Sequence, residues 1–210
     1  MNDHDHDHPH EPVAANEPPS GARARALEEL LIEKGVIERD EVRRGIDWLV
    51  SRTPADGARL VARAWLDPAF KERLLADARE SALELGLDPG HSPVVVALEN
   101  TETVHHVVVC TLCSCYPRAL LGPPPDWYKS LAYRSRVVSE PRDVLDEFGL
   151  ALDDDVELRV VDSTANIRYL VIPRRPEGTE SMSEEALGAL VTRDSMIGVS
   201  RAALPSLFES

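Results

Sequence analysis

The 210-residue chain carries only three cysteines, three tryptophans and three phenylalanines. The cysteines, Cys110, Cys113 and Cys115, fall within a single six-residue stretch, which excludes a disulfide framework and leaves a metal or redox site to be tested. No apolar run approaches the ~18 residues of a membrane helix, and no basic-then-apolar leader follows Met1. These absences predict a soluble, cytoplasmic protein with no membrane partner. Positive charge is scarce as well: 23 Lys and Arg stand against 37 Asp and Glu, for a net charge of -14. So acidic a chain offers no large basic face to a phosphate backbone, and a nucleic-acid partner is not expected.

Residues 1–20 alternate Asp with His and then turn proline-rich, with almost nothing large and apolar to offset the entropy of ordering. This composition predicts a disordered tail. Its His4, His6, His8 and His10, interleaved with carboxylates, are loose ligands for a borderline ion such as nickel, cobalt or zinc. A solvated acidic tail without a specific role is the plainer reading.

From residue 21 to 86 the pattern is helical. Leu27, Leu30 and Leu31 repeat at one-face spacing before Gly35, and Val42, Ile46, Leu49 and Val50 do so again. A third helix runs through Leu60, Val61, Ala64 and Trp65. A fourth is expected from an Asp67 cap and Pro68 to Gly86. Beyond Gly86, runs 93–98, 105–109, 156–161 and 167–172 are short, apolar and β-branched, as buried strands are. Helices are expected at 141–148 and 183–191. The order predicts an α+β fold: a helical N-terminal arm, then a compact mixed α/β domain over 87–203 that carries a cysteine-claw metal site, and a short tail at 204–210.

The string Val109-Cys110-Thr111-Leu112-Cys113-Ser114-Cys115-Tyr116 places three thiols in a C-x2-C-x-C claw directly after a strand. A structural zinc site commonly uses two separated Cys or His pairs, and no second pair follows. His105 and His106 are the nearest further ligands, but adjacent strand residues point to opposite faces, so each is expected to be a packing or supporting histidine. The backbone can complete the set, because the amide nitrogens of Ser114 and Cys115 lie between two of the sulfurs. An amide ligates only after losing its proton, which requires a strongly Lewis-acidic centre, and thiolates suit late transition metals; trivalent cobalt or iron satisfies both.

CTLCSCY, the preceding VVV and the later PPDWYK, AYRSRVVSEPR and VTRDSMIG segments closely resemble the alpha subunit of the nitrile hydratase family, over residues 22 to 200. The resemblance implies a low-spin trivalent ion held by Cys110, Cys113, Ser114 and Cys115. Thr111 and Tyr116 resemble the cobalt type, so non-corrin cobalt(III) is the expected cofactor and iron(III) the alternative. It further implies Cys113 as sulfinic acid, Cys115 as sulfenic acid and Cys110 as thiolate, both oxidised forms lying on the known thiol ladder. Catalysis would then rest on Cys115, Ser114 and Cys113, acting on a small nitrile. A beta-type subunit, as one fused chain or two, would supply arginines to the oxidised sulfurs, and an activator or chaperone would load cobalt. Where typical members have Trp, this chain has Arg118, a planar cation that favours a polar or anionic ligand. Thiocyanate hydrolase gamma subunits resemble the chain at that position, which gives a second reading: thiocyanate converted to carbonyl sulfide and ammonia. A metal-binding or redox-sensing protein without turnover is the reading from another class. Trp127, Tyr128 and Tyr133 are expected to pack rather than line a pocket. Asp194 and Ser195, with no nearby histidine, are not expected to form a nucleophile pair.

Overall fold

A computed structural model describes residues 19–90 and 94–205. The expected tail with its four histidines falls outside those residues, apart from Pro19 and Ser20, which open the first helix, and so do residues 206–210 of the C-terminal tail. The described chain divides into two compact units, residues 1–46 and 47–210. In the first, α1 (Pro19–Glu33) ends at Gly35, whose φ of 66° is the left-handed conformation that a helix C-terminus favours. Helix α2 (Glu41–Ser51) then begins, with no fully buried residue along its length.

In the second unit, α3 (Ala55–Leu66) buries Leu60, Val61, Ala62 and Ala64. Asp67 caps α4 (Pro68–Ala76) by accepting from the Phe70 amide at 3.0 Å, with Pro68 at the first helical position where its missing N–H costs nothing. The single helix expected from Pro68 to Gly86 is broken. Asp77 is extended (φ -152°), and its carboxylate accepts from the amides of Arg79 and Glu80, ending one helix and capping the next, α5 (Ala78–Glu84). A second Asx cap inside an apparently continuous helix is what the sequence reading overlooked. Leu60, Val61, Phe70 and Leu74 share one core with Val107, Val108, Val109, Leu170 and Val171.

Four strands occur where the β-branched runs lie: β1 (Val94–Glu99), β2 (Val104–Val109), β3 (Glu157–Asp162) and β4 (Ile167–Ile172). They pair in parallel as β1 with β4 and β2 with β3, in registers Val94 to Ile167 and Val104 to Glu157. Parallel partners need long crossovers. Between β2 and β3 the chain makes α6 (Arg118–Leu121), α7 (Asp126–Lys129), α8 (Leu131–Ser139) and α9 (Pro141–Glu147). After β4 come α10 (Glu184–Leu190), packed on α3, and α11 (Arg193–Ile197), packed on β2 and β4. Five of the six β2 residues are buried, so this strand is buried on both faces and its C-terminal end, Val107 to Val109, is fixed by packing from both sides. Gly198 closes α11 at φ 91°, and a Cβ there would overlap the carbonyl oxygen of His106 in β2. The mixed helix and strand architecture is the expected α+β class. Among the described residues, no helix is long and apolar enough to cross a membrane.

Candidate metal centre

The last residue of β2 is Val109, and Cys110 follows it with 1% exposure. From there the chain turns so that the Cys110, Cys113 and Cys115 sulfurs lie within 4.8 Å of one another. Cys113 Sγ is 3.5 Å from Cys110 Sγ and 3.3 Å from Cys115 Sγ, and the Cys113 amide points at Cys110 Sγ at 3.4 Å. Three soft donors converge with no apolar packing between them. The thiols share charge unequally: hydrogen bonds from the Cys115 and Cys110 thiols, then from the Ser114 amide, pull Cys113 down to about 7. Burial and the donation to Cys113 push Cys115 up to about 12. Cys113 is thus the thiol that gives up its proton most easily, and an entering ion would displace the remaining protons.

The shape of the loop is held from outside. Asp162, the last residue of β3 and the register partner of Val109, accepts from the Thr111 amide at 3.0 Å and from Thr111 Oγ1 at 2.6 Å. Arg134 Nη1, on α8, donates to the Thr111 carbonyl at 3.3 Å. On the far side, the Tyr128 hydroxyl donates to the Cys115 carbonyl at 2.8 Å. Tyr128 is fully buried and touches the rings of Tyr116, Trp127 and Tyr133 at 5.3, 6.0 and 5.8 Å between centroids. The Tyr133 hydroxyl reaches the Val108 carbonyl at 2.7 Å. The expected aromatic packing is present, with a second job that the sequence did not reveal: two of its hydroxyls hold the backbone on either side of the claw.

His105 and His106 do not join the sulfurs. His105 Nε2 meets the Gly198 carbonyl at 2.7 Å and its Nδ1 meets the Asn100 amide nitrogen at 3.1 Å, while His106 Nδ1 lies 3.2 Å from Asn100 Oδ1. Desolvation holds both imidazoles below their ordinary pKa, as expected of buried supporting histidines. Ser195 is fully buried and is spent on a capping box with Thr192, so it is no nucleophile. Among the described residues, no fourth His, Cys or carboxylate completes the cluster, which fits a backbone-assisted late-transition ion better than a four-ligand zinc site.

A cleft of about 500 Å³ opens over the claw, and Cys113, Ser114, Cys115 and Arg118 line it while Cys110 does not. Trp48, Leu49, Gly90, Ala119 and Arg168 also line it, and none of the five was expected from the sequence to belong to the site. A larger cleft of about 620 Å³, beside Asn100, His105 and Arg174, contains no sulfur.

A family model described as "Nitrile hydratase, alpha chain" matches residues 19–200. The chain belongs to the nitrile hydratase alpha-chain family. It is 50% identical to the low-molecular-weight cobalt-containing nitrile hydratase subunit alpha of Rhodococcus rhodochrous, over 94% of this chain and 98% of that relative. It is also 45% identical to the thiocyanate hydrolase subunit gamma of Thiobacillus thioparus, over 83% of this chain and 76% of that one. Among solved structures, an iron-type nitrile hydratase variant from Comamonas testosteroni superposes with a TM-score of 0.80 at 43% identity, covering 89% of this chain and 91% of that chain. The nitrile hydratase family thus includes both cobalt and iron members similar to this chain, and a thiocyanate-hydrolysing relative lies close beside them.

Proposed function

We propose that the chain is the metal-binding catalytic subunit of a cytoplasmic cobalt nitrile hydratase, converting a nitrile to its amide together with a beta-type subunit. The observation that carries this reading is the convergence of three thiols within 4.8 Å at the end of β2, in a chain 50% identical along nearly its whole length to a cobalt-containing alpha subunit. The sulfurs of Cys110, Cys113 and Cys115 and the amide nitrogens of Ser114 and Cys115 would hold the ion. Bound there, trivalent cobalt would supply Lewis acidity toward the nitrile nitrogen.

The chain's own residues divide the remaining work by exposure. Cys110 is buried and does not line the cleft, whereas Cys113 and Cys115 do. Oxygen from solvent thus has access to the two sulfurs assigned as sulfinate and sulfenate, and the third is shielded as thiolate. Once oxidised, Cys115 would present an oxygen in that cleft as the nucleophile toward the nitrile carbon, or would orient a water for the same attack. Ser114 presents its hydroxyl to the same cleft. The negative oxygens require cations, which fall to arginines of the partner subunit.

The thiocyanate reading has one observation in its favour, the position of Arg118 in the cleft beside the claw. Co-expression with the neighbouring reading frames in cobalt medium tests both. Amide from nitriles, about one cobalt per claw, and mass spectra with two oxygens on Cys113 and one on Cys115 are the expected results. Carbonyl sulfide and ammonia from thiocyanate, with little amide, would replace the first reading by the second.

A further inference from the structure

Trp48 lines the same cleft as Cys113 and Cys115, and its surroundings fix its place. Its Nε1 donates to Asp88 Oδ2 at 3.0 Å, and the other oxygen of that carboxylate accepts from the Gly90 amide at 2.9 Å. The Arg52 guanidinium lies 4.7 Å over the ring. Gly90, at φ 69°, leaves room for the indole: a Cβ there would come within 3.1 Å of both Trp48 Cη2 and Ala119 Cβ. A rigid aromatic surface therefore lines the cleft that Arg118 also lines.

Arg118 differs from the other arginines near the claw. Arg134 is engaged with the Thr111 carbonyl and Arg168 with the carbonyls of Thr164 and Ile167. No hydrogen bond, ion pair or stacking partner takes the Arg118 guanidinium among the described residues, and no carboxylate lines the cleft. A half-buried fork of five donors with nothing to donate to is matched geometrically by a carboxylate, which it binds bidentately. Arg168 adds a second positive charge to the lining of the same cleft.

We infer that Trp48 and Arg118 select the substrate: a planar, aromatic nitrile bearing a carboxylate, its ring against the Trp48 indole and its charge on the Arg118 guanidinium. The inference rests on the nitrile-hydrating reading above and narrows it to a substrate class. A 500 Å³ cleft accommodates a benzene ring with two substituents. It exceeds what a triatomic anion fills, and such an anion would have no use for the indole.

The test uses the cobalt-loaded complex with its partner chains and compares kcat/KM for 4-cyanobenzoate, benzonitrile and acrylonitrile, with thiocyanate alongside. The wild-type complex is expected to prefer 4-cyanobenzoate to benzonitrile by about tenfold or more, the size of one charge-assisted contact. Arg118→Gln should lower kcat/KM for 4-cyanobenzoate about tenfold more than for benzonitrile, and Trp48→Ala should penalise both aromatic nitriles relative to acrylonitrile. Calorimetric titration gives a readout independent of turnover: terephthalamate, the product amide, should bind about tenfold more tightly than benzamide, and Arg118→Gln should erase that difference. Equal turnover of 4-cyanobenzoate and benzonitrile by an active wild type would overturn the inference and leave the hydratase reading standing. So would an Arg118→Gln chain that no longer co-purifies with its partner, which would make Arg118 a subunit contact. Turnover of thiocyanate with no nitrile hydrated would instead overturn the reading beneath it.

Discussion

Replacing Tyr128 by Phe deletes one oxygen atom and leaves every ring contact in place. That oxygen makes the 2.8 Å hydrogen bond to the Cys115 carbonyl, and the ring is fully buried against Tyr116, Trp127 and Tyr133. The loss combines a net hydrogen bond of ~0.5–1.5 kcal/mol with the cost of a partly buried carbonyl left without its donor, for a sum of about 1–2 kcal/mol. In a domain of this size each kcal/mol moves Tm by roughly 2–4 °C, so the variant should melt about 2–8 °C lower. Tyr133→Phe is the control, because its hydroxyl binds the Val108 carbonyl, two residues before the claw begins. Both variants should lose comparable stability, but only Tyr128→Phe frees the backbone of Cys115. Alkylation of the metal-free chain, followed by peptide mass spectrometry, should show Cys115 labelled several-fold faster in Tyr128→Phe than in Tyr133→Phe at equal fractions folded. Identical labelling of the two, or an unchanged Tm in Tyr128→Phe, would refute the idea that this hydroxyl holds the claw.

Gly198→Ala should abolish soluble expression, since a methyl group there meets the His106 carbonyl and the residue also occupies positive φ; recovery of a folded variant with normal cobalt content would contradict this. Thr111→Val removes the Oγ1 bond to Asp162 and keeps the amide bond, so it should cost about 0.5–1.5 kcal/mol in urea unfolding and accelerate cobalt loss to a chelator. His105 and His106 both have imidazoles held below their ordinary pKa by desolvation. The unfolded chain therefore binds more protons than the folded one, so stability is complete above about pH 6.5 and falls as pH drops through the window below it. The urea midpoint should decline over that range, and His105→Gln should flatten the decline. Alanine at Cys110, Cys113 or Cys115 should each reduce bound cobalt to background, as measured by metal analysis of the purified complex.

The strands were legible because a parallel strand buried on both faces is a run of β-branched residues, and β4 matches the run 167–172 residue for residue. Their pairing was not legible, since nothing local in Val94–Glu99 says that its neighbour lies at Ile167. Helix α8 escaped because Leu131 and Val138 are exposed and only Tyr133 and Val137 are fully buried, so it lacks a clean apolar period. Its start could have been found from Ser130, whose hydroxyl accepts from the Tyr133 amide as a cap. At the site, the claw was visible because its three cysteines fall within six residues of sequence. Trp48, Gly90 and Arg168 were not, because they come from three separate elements and meet only when the chain is folded. Asp162 belongs to the same category: at the end of an ordinary strand, an aspartate carries no sign of the threonine it will hold.

That tether, formed across 51 positions of sequence, also fixes an order of events. Thr111 finds its carboxylate only after β3 has docked on β2, so the socket is complete once the surrounding domain is built. In small zinc modules the ion drives folding, and stripping it unravels the chain. Here the scaffold comes first, and an incoming ion would meet thiols that are already gathered. Metal starvation should accordingly leave a reservoir of folded, empty chains that can be charged later, without any need for new synthesis.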